Sequence, residues 1–194
     1  VLAWENFNGT TGANIGGTTT DGGAKTWAVN VSGGVWQINA NRARSTTADT
    51  SLVLNAGGWN ATNVATVARN GATAFDAGFT TNRNAAGTQF LTCEWTSSSN
   101  GSMELWRYNS GWTLLTSVTN LYPGGIATAP ASITFGCGTT ATTLTATING
   151  TAVASTTLSA GDQTTFKNST HQLFGLYQYT STGITWDDFH LDSP

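Results

Sequence analysis

The chain has 194 residues with a formal net charge of −3, and only 9% of its residues are charged. This length is enough for one core of full size and short for two, so we expect a single domain over residues 1–194. Seven basic residues, spread thinly, do not form a phosphate-binding patch, and no run of about 18 apolar residues occurs. We therefore expect neither a nucleic acid partner nor membrane insertion.

Short segments of alternating apolar and polar residues recur along the chain, separated by turns rich in Gly, Asn and Ser. Thr and aromatic residues, which suit pleated sheets, are frequent in them. The pairs Asn70-Gly71 and Asn149-Gly150 indicate tight turns between strands. No segment sustains a helical period. The pattern predicts an all-β sandwich or barrel, with strands at residues 1–7, 35–40, 61–68, 74–79, 89–95, 103–108, 112–118, 132–137, 142–148, 151–155, 172–179 and 184–191.

The two ends of the chain form the first testable expectation about topology. Both terminal segments, residues 1–7 and 184–191, are rich in aromatic residues, and the termini of a domain often lie close together. We expect these two strands to lie side by side in one sheet.

Several motifs at the two ends of the chain suggest a family. The start reads WENFNGTTGANIGG, followed by TWAV and VWQINANRARS, and the end reads HQLFGLYQY followed by ITWDDFHLDSP. Between them, LTATING has the form of a hairpin. In this order the motifs resemble the concanavalin A-like, or laminin G-like, jelly-roll family, as found in bacteriophage tail or capsid proteins and bacterial carbohydrate-binding modules. The resemblance implies a two-sheet antiparallel jelly-roll sandwich. Its members include lectins, carbohydrate-binding modules, glycoside hydrolases and phage components, so the fold leaves the function open.

The chain has two cysteines, Cys93 and Cys137, each on the apolar face of a predicted strand. We expect both to be buried. Their spacing fits no zinc motif, and two cysteines are too few for a disulfide scaffold. Two alternatives remain open: two buried thiols, or one cross-strand disulfide, for which the Cα atoms must lie within about 7 Å.

The best candidate site lies on the predicted hairpin of residues 89–108. Leu91, Cys93 and Trp95 share an apolar face, as do Met103 and Leu105, and these residues should face the core. If Trp95 pairs with Met103, Glu94 lies opposite Glu104 on the other face. The candidate binding residues are therefore Glu94, Glu104, Trp106 and Tyr108, with Phe90 beside them, in a shallow outward patch.

Aromatic rings beside carboxylates suit sugar binding, because the rings pack on C–H groups and the carboxylates accept hydrogen bonds from hydroxyls. The alternative interpretation is a solvated outer face with scattered aromatics. Opposed carboxylates also raise the possibility of glycoside hydrolysis, but the compact acidic strand of jelly-roll glucanases, Glu-x-Asp-x-Glu or Glu-x-Asp-x-x-Glu, is absent from the sequence.

We therefore predict a non-enzymatic module of an extracellular or virion surface that binds cell-surface glycans. The alternatives are a structural phage component, such as a capsid decoration, head fibre or tail protein held by neighbouring virion proteins, and a glycoside hydrolase. No cofactor is expected. One further interpretation is a structural calcium ion if the first and last strands bring four acids together, namely Glu5, Asp187, Asp188 and Asp192.

Overall fold

A computed structural model describes residues 1–30, 34–69, 74–179 and 184–193. The turn predicted at Asn70-Gly71 lies outside the described residues. The strands are β1 Ala3–Glu5, β2 Ala28–Asn30, β3 Trp36–Ile38, β4 Ala43–Ser45, β5 Thr50–Asn55, β6 Thr62–Arg69, β7 Asp76–Arg83, β8 Gln89–Thr96, β9 Ser102–Asn109, β10 Trp112–Val118, β11 Ser132–Thr139, β12 Thr143–Ile148, β13 Thr151–Thr157, β14 Leu173–Gln178 and β15 Ile184–Asp192, and the helix α1 is Ala160–Phe166.

The strands form two antiparallel sheets, confirming the predicted all-β sandwich. Within the described ranges, one sheet has eight strands in the order β13-β12-β11-β6-β15-β4-β3, with β1 paired to β15. The other has seven strands in the order β10-β9-β8-β7-β14-β5-β2. Both sheets combine pairs of consecutive strands with pairs that are distant in sequence, such as β6–β15 and β5–β14. In the described part of the chain, no helix is long and apolar enough to cross a bilayer.

The core lies between the two sheets and is rich in aromatic rings. Phe79 of the seven-stranded sheet lies 4.9 Å from Phe135 and 5.1 Å from Trp186 of the eight-stranded sheet, between ring centroids. All three side chains are fully buried. These rings bury large apolar areas, and their tilted packing adds a further favourable contribution.

The terminal strands lie side by side, as predicted from the sequence. Ala3 pairs with Leu191 and Glu5 with Phe189, both antiparallel. The alternation in β1 buries Ala3 and Glu5 and exposes Trp4. The last strand thus lies between the first strand and β6, inside the eight-stranded sheet.

A disulfide bond joins Cys93 of β8 to Cys137 of β11, with a Cα–Cα distance of 5.8 Å. This settles the two alternatives left by the sequence in favour of the bridge. Both residues are fully buried, as expected. Because β8 and β11 belong to different sheets, the bridge fastens one layer of the sandwich to the other.

Four elements were missed by the sequence analysis: β2, β4, β5 and α1. In β5, Leu52, Val53 and Leu54 are all fully buried, so this strand lacks the alternation that identifies a half-exposed strand. The helix α1 is only seven residues long. It is set by a local cap, in which the Ser159 hydroxyl accepts a hydrogen bond from the Asp162 amide at 3.1 Å.

Candidate functional site

The candidate site lies on the β8–β9 hairpin, whose predicted register is confirmed. Trp95 pairs with Met103, and Glu94 pairs directly with Glu104. The opposite face of the hairpin is part of the core, where its five apolar side chains are fully buried, namely Leu91, Cys93, Trp95, Met103 and Leu105. The glutamates therefore point to the outer face of the seven-stranded sheet.

This outer face holds a partly open cavity at the place where the sequence predicted a shallow patch. Its volume is about 490 Å³, within the range of roughly 300–1,000 Å³ typical of small-molecule sites. We call it the acidic cavity; it is lined by Ala74, Phe75, Asp76, Glu94, Thr96, Ser97, Ser98, Glu104, Trp106, Trp112 and Tyr179. Three of the four predicted residues line it, and Tyr108 does not.

Tyr108 lies instead in a second, smaller cavity of about 160 Å³. There it stacks on Phe90, with ring centroids 5.1 Å apart. Trp112 borders both cavities, and its ring centroid is 5.2 Å from that of Tyr108. Tyr108 therefore does not line the same cavity as the two glutamates, and the Trp112 ring borders both cavities.

The Trp112 ring reaches far across the outer face of the sheet. Its strand, β10, is separated from β14 by three other strands, and four strand spacings amount to about 19 Å in a flat sheet. Nevertheless the Trp112 ring centroid is 6.2 Å from that of Tyr177 on β14. The aromatic side chains thus approach each other across the outer face and border the cavities there.

Glu104 is held in place by three hydrogen bonds. The Ser102 and Ser98 hydroxyls donate to Oε1 at 2.8 and 3.2 Å, and the Trp106 indole Nε1 donates to Oε2 at 3.0 Å. The two serines also contact each other at 2.7 Å. This network fixes both the carboxylate and the Trp106 ring, so an approaching ligand meets a preorganised wall.

Glu94 forms the floor of the acidic cavity and is only 7% exposed. The Thr92 hydroxyl donates to its Oε1 at 2.9 Å, and no described group donates to Oε2. Gly78 makes room for it, since a Cβ there would lie 3.2 Å from Glu94 Cγ and 3.0 Å from Tyr177 Cδ1. Burial, and then the charge of Asp76, raise the pKa of Glu94 to about 8.

Asp76 is the third carboxylate of the cavity, and the sequence analysis missed it. It begins β7 and pairs with Thr96, two residues along the strand from the Gly78–Glu94 pair and therefore on the same face. Its Oδ1 is buried and has no hydrogen-bond partner among the described residues. Burial, and then the charge of Glu104, raise the pKa of Asp76 to about 7. Its alternation with Ala77 and Phe79 was a usable signal, but the pairing of β7 with β8 was not predicted.

We expect the contribution of Glu94 and Asp76 to the stability of the protein to fall as the pH rises from about 5 to 8. The native pKa values of Glu94 and Asp76 lie near 8 and 7, above ordinary values of 4.5 and 3.8. In this window the native state binds more protons than the unfolded state, so each group lowers the free energy of unfolding by up to about 1.4 kcal/mol per pH unit. Glu94→Gln should remove its share and exceed the wild type in stability at pH 8, measured by urea unfolding.

Asp188→Asn is the matched control, because Asp188 is exposed and Asn tolerates its positive φ of 48°. This variant should keep the pH dependence of the wild type. A difference in unfolding free energy between Glu94→Gln and the wild type that does not change from pH 5 to 8 would contradict the raised pKa of Glu94.

The walls of the acidic cavity are aromatic and partly open to solvent. Trp112 is 40% exposed and Tyr179 is 48% exposed, and the Trp106 ring lies edge-on to Trp112 at 6.2 Å. None of the described lining residues is Lys, Arg or His. The arrangement offers flat apolar faces next to oxygen acceptors.

The four acids considered for calcium do not form a cluster. Asp187 pairs with Arg42 at 3.7 Å, Asp192 pairs with the N-terminal amine at 3.6 Å, and Glu5 accepts a hydrogen bond from Trp27 Nε1 at 3.3 Å. Across the described ranges, no group of three or more His, Cys, Asp or Glu side chains is placed to hold a metal ion. The interpretation as a calcium site has no support in this geometry.

Comparison with known proteins gives matches at the level of structure alone. No family model and no curated protein match the sequence. Among solved structures, the chain is similar to a carbohydrate-binding module, CBM66, from Bacillus subtilis, with a TM-score of 0.58 and 10% identity over 99% of this chain and 96% of that one. The fold is a concanavalin A-like jelly roll.

Two further structures share this jelly roll along almost their whole length. One is a Bacillus subtilis protein of unknown function with a galectin-like fold, with a TM-score of 0.60, 12% identity and 98% coverage of both chains. The other is the CBM2 module of the evolved Dit of Lactobacillus casei BL23 phage J-1, with a TM-score of 0.56 and 15% identity over 99% and 94% of the two chains. At these identities the likeness concerns the fold.

Proposed function

We propose that this jelly-roll chain is a non-enzymatic glycan-binding module and that the acidic cavity is its binding site. The observation that carries the proposal is the combination of partly exposed aromatic walls with buried carboxylates in one cavity of about 490 Å³. A purely structural outer face has no need of such a cavity. Two of the three similar structures described above are named as carbohydrate-binding modules, which supports the proposal without deciding it.

The chemistry of the cavity suits a sugar ring. The C–H face of a pyranose packs against Trp106, Trp112 or Tyr179, while its hydroxyls donate to the free carboxylate oxygens. Glu94 Oε2 and Asp76 Oδ1 are the acceptors without a described donor. Asp76 Oδ1 is buried without a partner, which is unfavourable, so a ligand hydroxyl that forms a hydrogen bond with it relieves that unfavourable state.

Hydrolysis is the second reading, because Glu94 faces Glu104 directly and a raised pKa is a property of a general acid. The contacts of Glu104 argue against it. Both of its oxygens already accept hydrogen bonds from Ser102, Ser98 and Trp106, which leaves it poorly placed to attack an anomeric carbon. We therefore assign Glu104 to holding Trp106 rather than to catalysis.

The disulfide supports a location outside the cytoplasm. Structural disulfides persist in oxidising compartments and on virion or cell surfaces, and the Cys93–Cys137 bridge is fully buried between the sheets. We propose that the module acts on an extracellular or virion surface, with cell-surface glycans as its partners.

The test is a glycan array probed with the labelled protein, followed by a reducing-end assay on every glycan that binds. We expect binding to a limited set of glycans and no release of reducing ends. Turnover of a bound glycan would show a hydrolase. Failure to bind any glycan would contradict the proposal and favour a structural virion component held by protein contacts.

A further inference from the structure

The acidic cavity holds several carboxyl groups and no cationic partner for them among its described lining residues. Its described lining contributes three carboxylates from three adjacent strands, Asp76 of β7, Glu94 of β8 and Glu104 of β9, and no cationic side chain. Glu94 is more than nine-tenths buried, and its Oε2 has no donor in the described part of the molecule. A site that binds only neutral hydroxyl groups does not require three carboxyl groups.

Two arginines, Arg69 and Arg83, make contacts near the cavities but do not line the acidic cavity. Arg69 lies over the Phe75 ring at 5.3 Å, and its Nε donates to the Pro130 carbonyl at 3.0 Å. Arg83 lines the smaller cavity and lies over the Phe90 ring at 4.5 Å. Neither arginine is among the lining residues of the acidic cavity. The described lining residues therefore supply no compensating positive charge there.

The protonation of the carboxyls is consistent with a missing cation. Burial raises the pKa of Asp76 and Glu94 to about 7 and about 8, and no cationic side chain opposes either shift. The groups that face Glu94 are Asp76, Glu104 and Asp49, all acidic, and the Tyr177 phenol. A cation within about 4–6 Å favours the ionised form of a carboxyl, so it would bind with the release of protons.

The aromatic walls also suit a cation. An ammonium group within about 6 Å of a ring centroid is attracted to the face of Trp or Tyr, and Trp106, Trp112 and Tyr179 all line the cavity. One group that meets both the carboxylates and the rings is the ammonium of an amino sugar, whose pyranose ring brings its own C–H face.

We propose that the acidic cavity selects glycans that carry a free amino group, that is, de-N-acetylated amino sugars, over neutral and N-acetylated sugars of the same backbone. This inference rests on the proposed glycan-binding function and names its ligand class. An N-acetyl group is a neutral amide and leaves the acids uncompensated, and a uronic or sialic acid is repelled by them.

Three tetrasaccharides test the inference, because they share a β-1,4-linked glucose backbone and differ only at C2: glucosamine, N-acetylglucosamine and glucose. By isothermal calorimetry near pH 6 and at low salt, we expect the glucosamine tetramer to bind about tenfold more tightly or better. The advantage should shrink as salt screens the charges. Repeating the titration in buffers of different ionisation enthalpy should show release of roughly one proton for the glucosamine tetramer alone, since the ammonium ionises Asp76 or Glu94.

Isosteric variants connect the preference to the cavity. Asp76→Asn and Glu94→Gln should each reduce the ratio of the glucosamine and glucose affinities several-fold, and together bring it near one. The exposed-acid variant Asp188→Asn removes the same charge from the protein and should leave the ratio unchanged, which separates the cavity from the overall net charge.

The outcomes separate this inference from the proposed function. Equal affinity for the glucose and glucosamine tetramers, with both lost in Trp106→Ala, would overturn the amino-sugar inference and leave the glycan-binding function standing. Tighter binding of the N-acetylglucosamine tetramer would also overturn it. If none of the three tetramers binds, the inference is overturned, and the glycan array then decides the proposed function by itself.

Discussion

Replacing Trp106 by alanine is expected to weaken glycan binding by about 30-fold or more, measured by calorimetry on any glycan that the wild type binds. A central aromatic anchor typically contributes about 2 kcal/mol or more, and each 1.4 kcal/mol is a factor of ten in affinity. Trp106 lines the acidic cavity and also holds Glu104 through its indole Nε1. The substitution therefore removes the ring face on which a sugar can stack. It also removes one of the hydrogen bonds that hold Glu104 in place.

Two further variants make this result specific. Trp106→Phe keeps a flat ring but loses the hydrogen bond to Glu104, so it should retain much of the binding if stacking dominates. Trp4→Ala removes a tryptophan that is 39% exposed on β1, in the other sheet, and should bind like the wild type. Unchanged binding by Trp106→Ala would reject the acidic cavity as the site.

Replacing both Cys93 and Cys137 by alanine is expected to lower the free energy of unfolding by roughly 4 kcal/mol, measured by urea unfolding. The bridge closes a loop with a sequence separation of 44 residues, and a loop of this size loses about that much entropy in the unfolded chain when it is cross-linked. The bridge also joins the two sheets in the centre of the core, where both residues are fully buried.

Reductant provides the matched comparison for the disulfide. A reducing agent should lower the free energy of unfolding of the wild type to about that of the double variant. It should leave the free energy of unfolding of the double variant unchanged. Binding by folded double variant should survive, because the acidic cavity lies on the outer face of the sheet and neither cysteine lines it. A loss of less than about 1 kcal/mol would show that the bridge contributes little to stability.

The register of the β8–β9 hairpin was predictable because the core constrains it strongly. Apolar side chains at every second position leave one face for Glu94 and Glu104, and a shift of one residue would expose Trp95 and Met103. The adjacency of β1 and β15 followed from the aromatic content of both ends of the chain. In contrast, β5 is buried on both faces, so its apolar residues form a continuous run, Leu52–Leu54, and lack the alternation that predicts a strand.

The partners of the hairpin were not predictable, since alternation says which way a side chain points but not which strands become neighbours. Asp76 joins the two glutamates only because β7 pairs with β8. The disulfide was one of two alternatives until the sandwich placed β8 over β11, with the two Cα atoms 5.8 Å apart.

The sequence by itself determined the all-β class, the face of the hairpin that carries Glu94, Glu104 and Trp106, and the burial of both cysteines, because local alternation is enough to separate inside from outside. The tertiary structure decided what that outer face becomes. The Trp112 ring, on the edge strand β10, lies within 6.2 Å of Tyr177, borders both cavities and leaves Tyr108 in the smaller one. This placement depends on many strand pairings together, so no single segment of the chain encodes it.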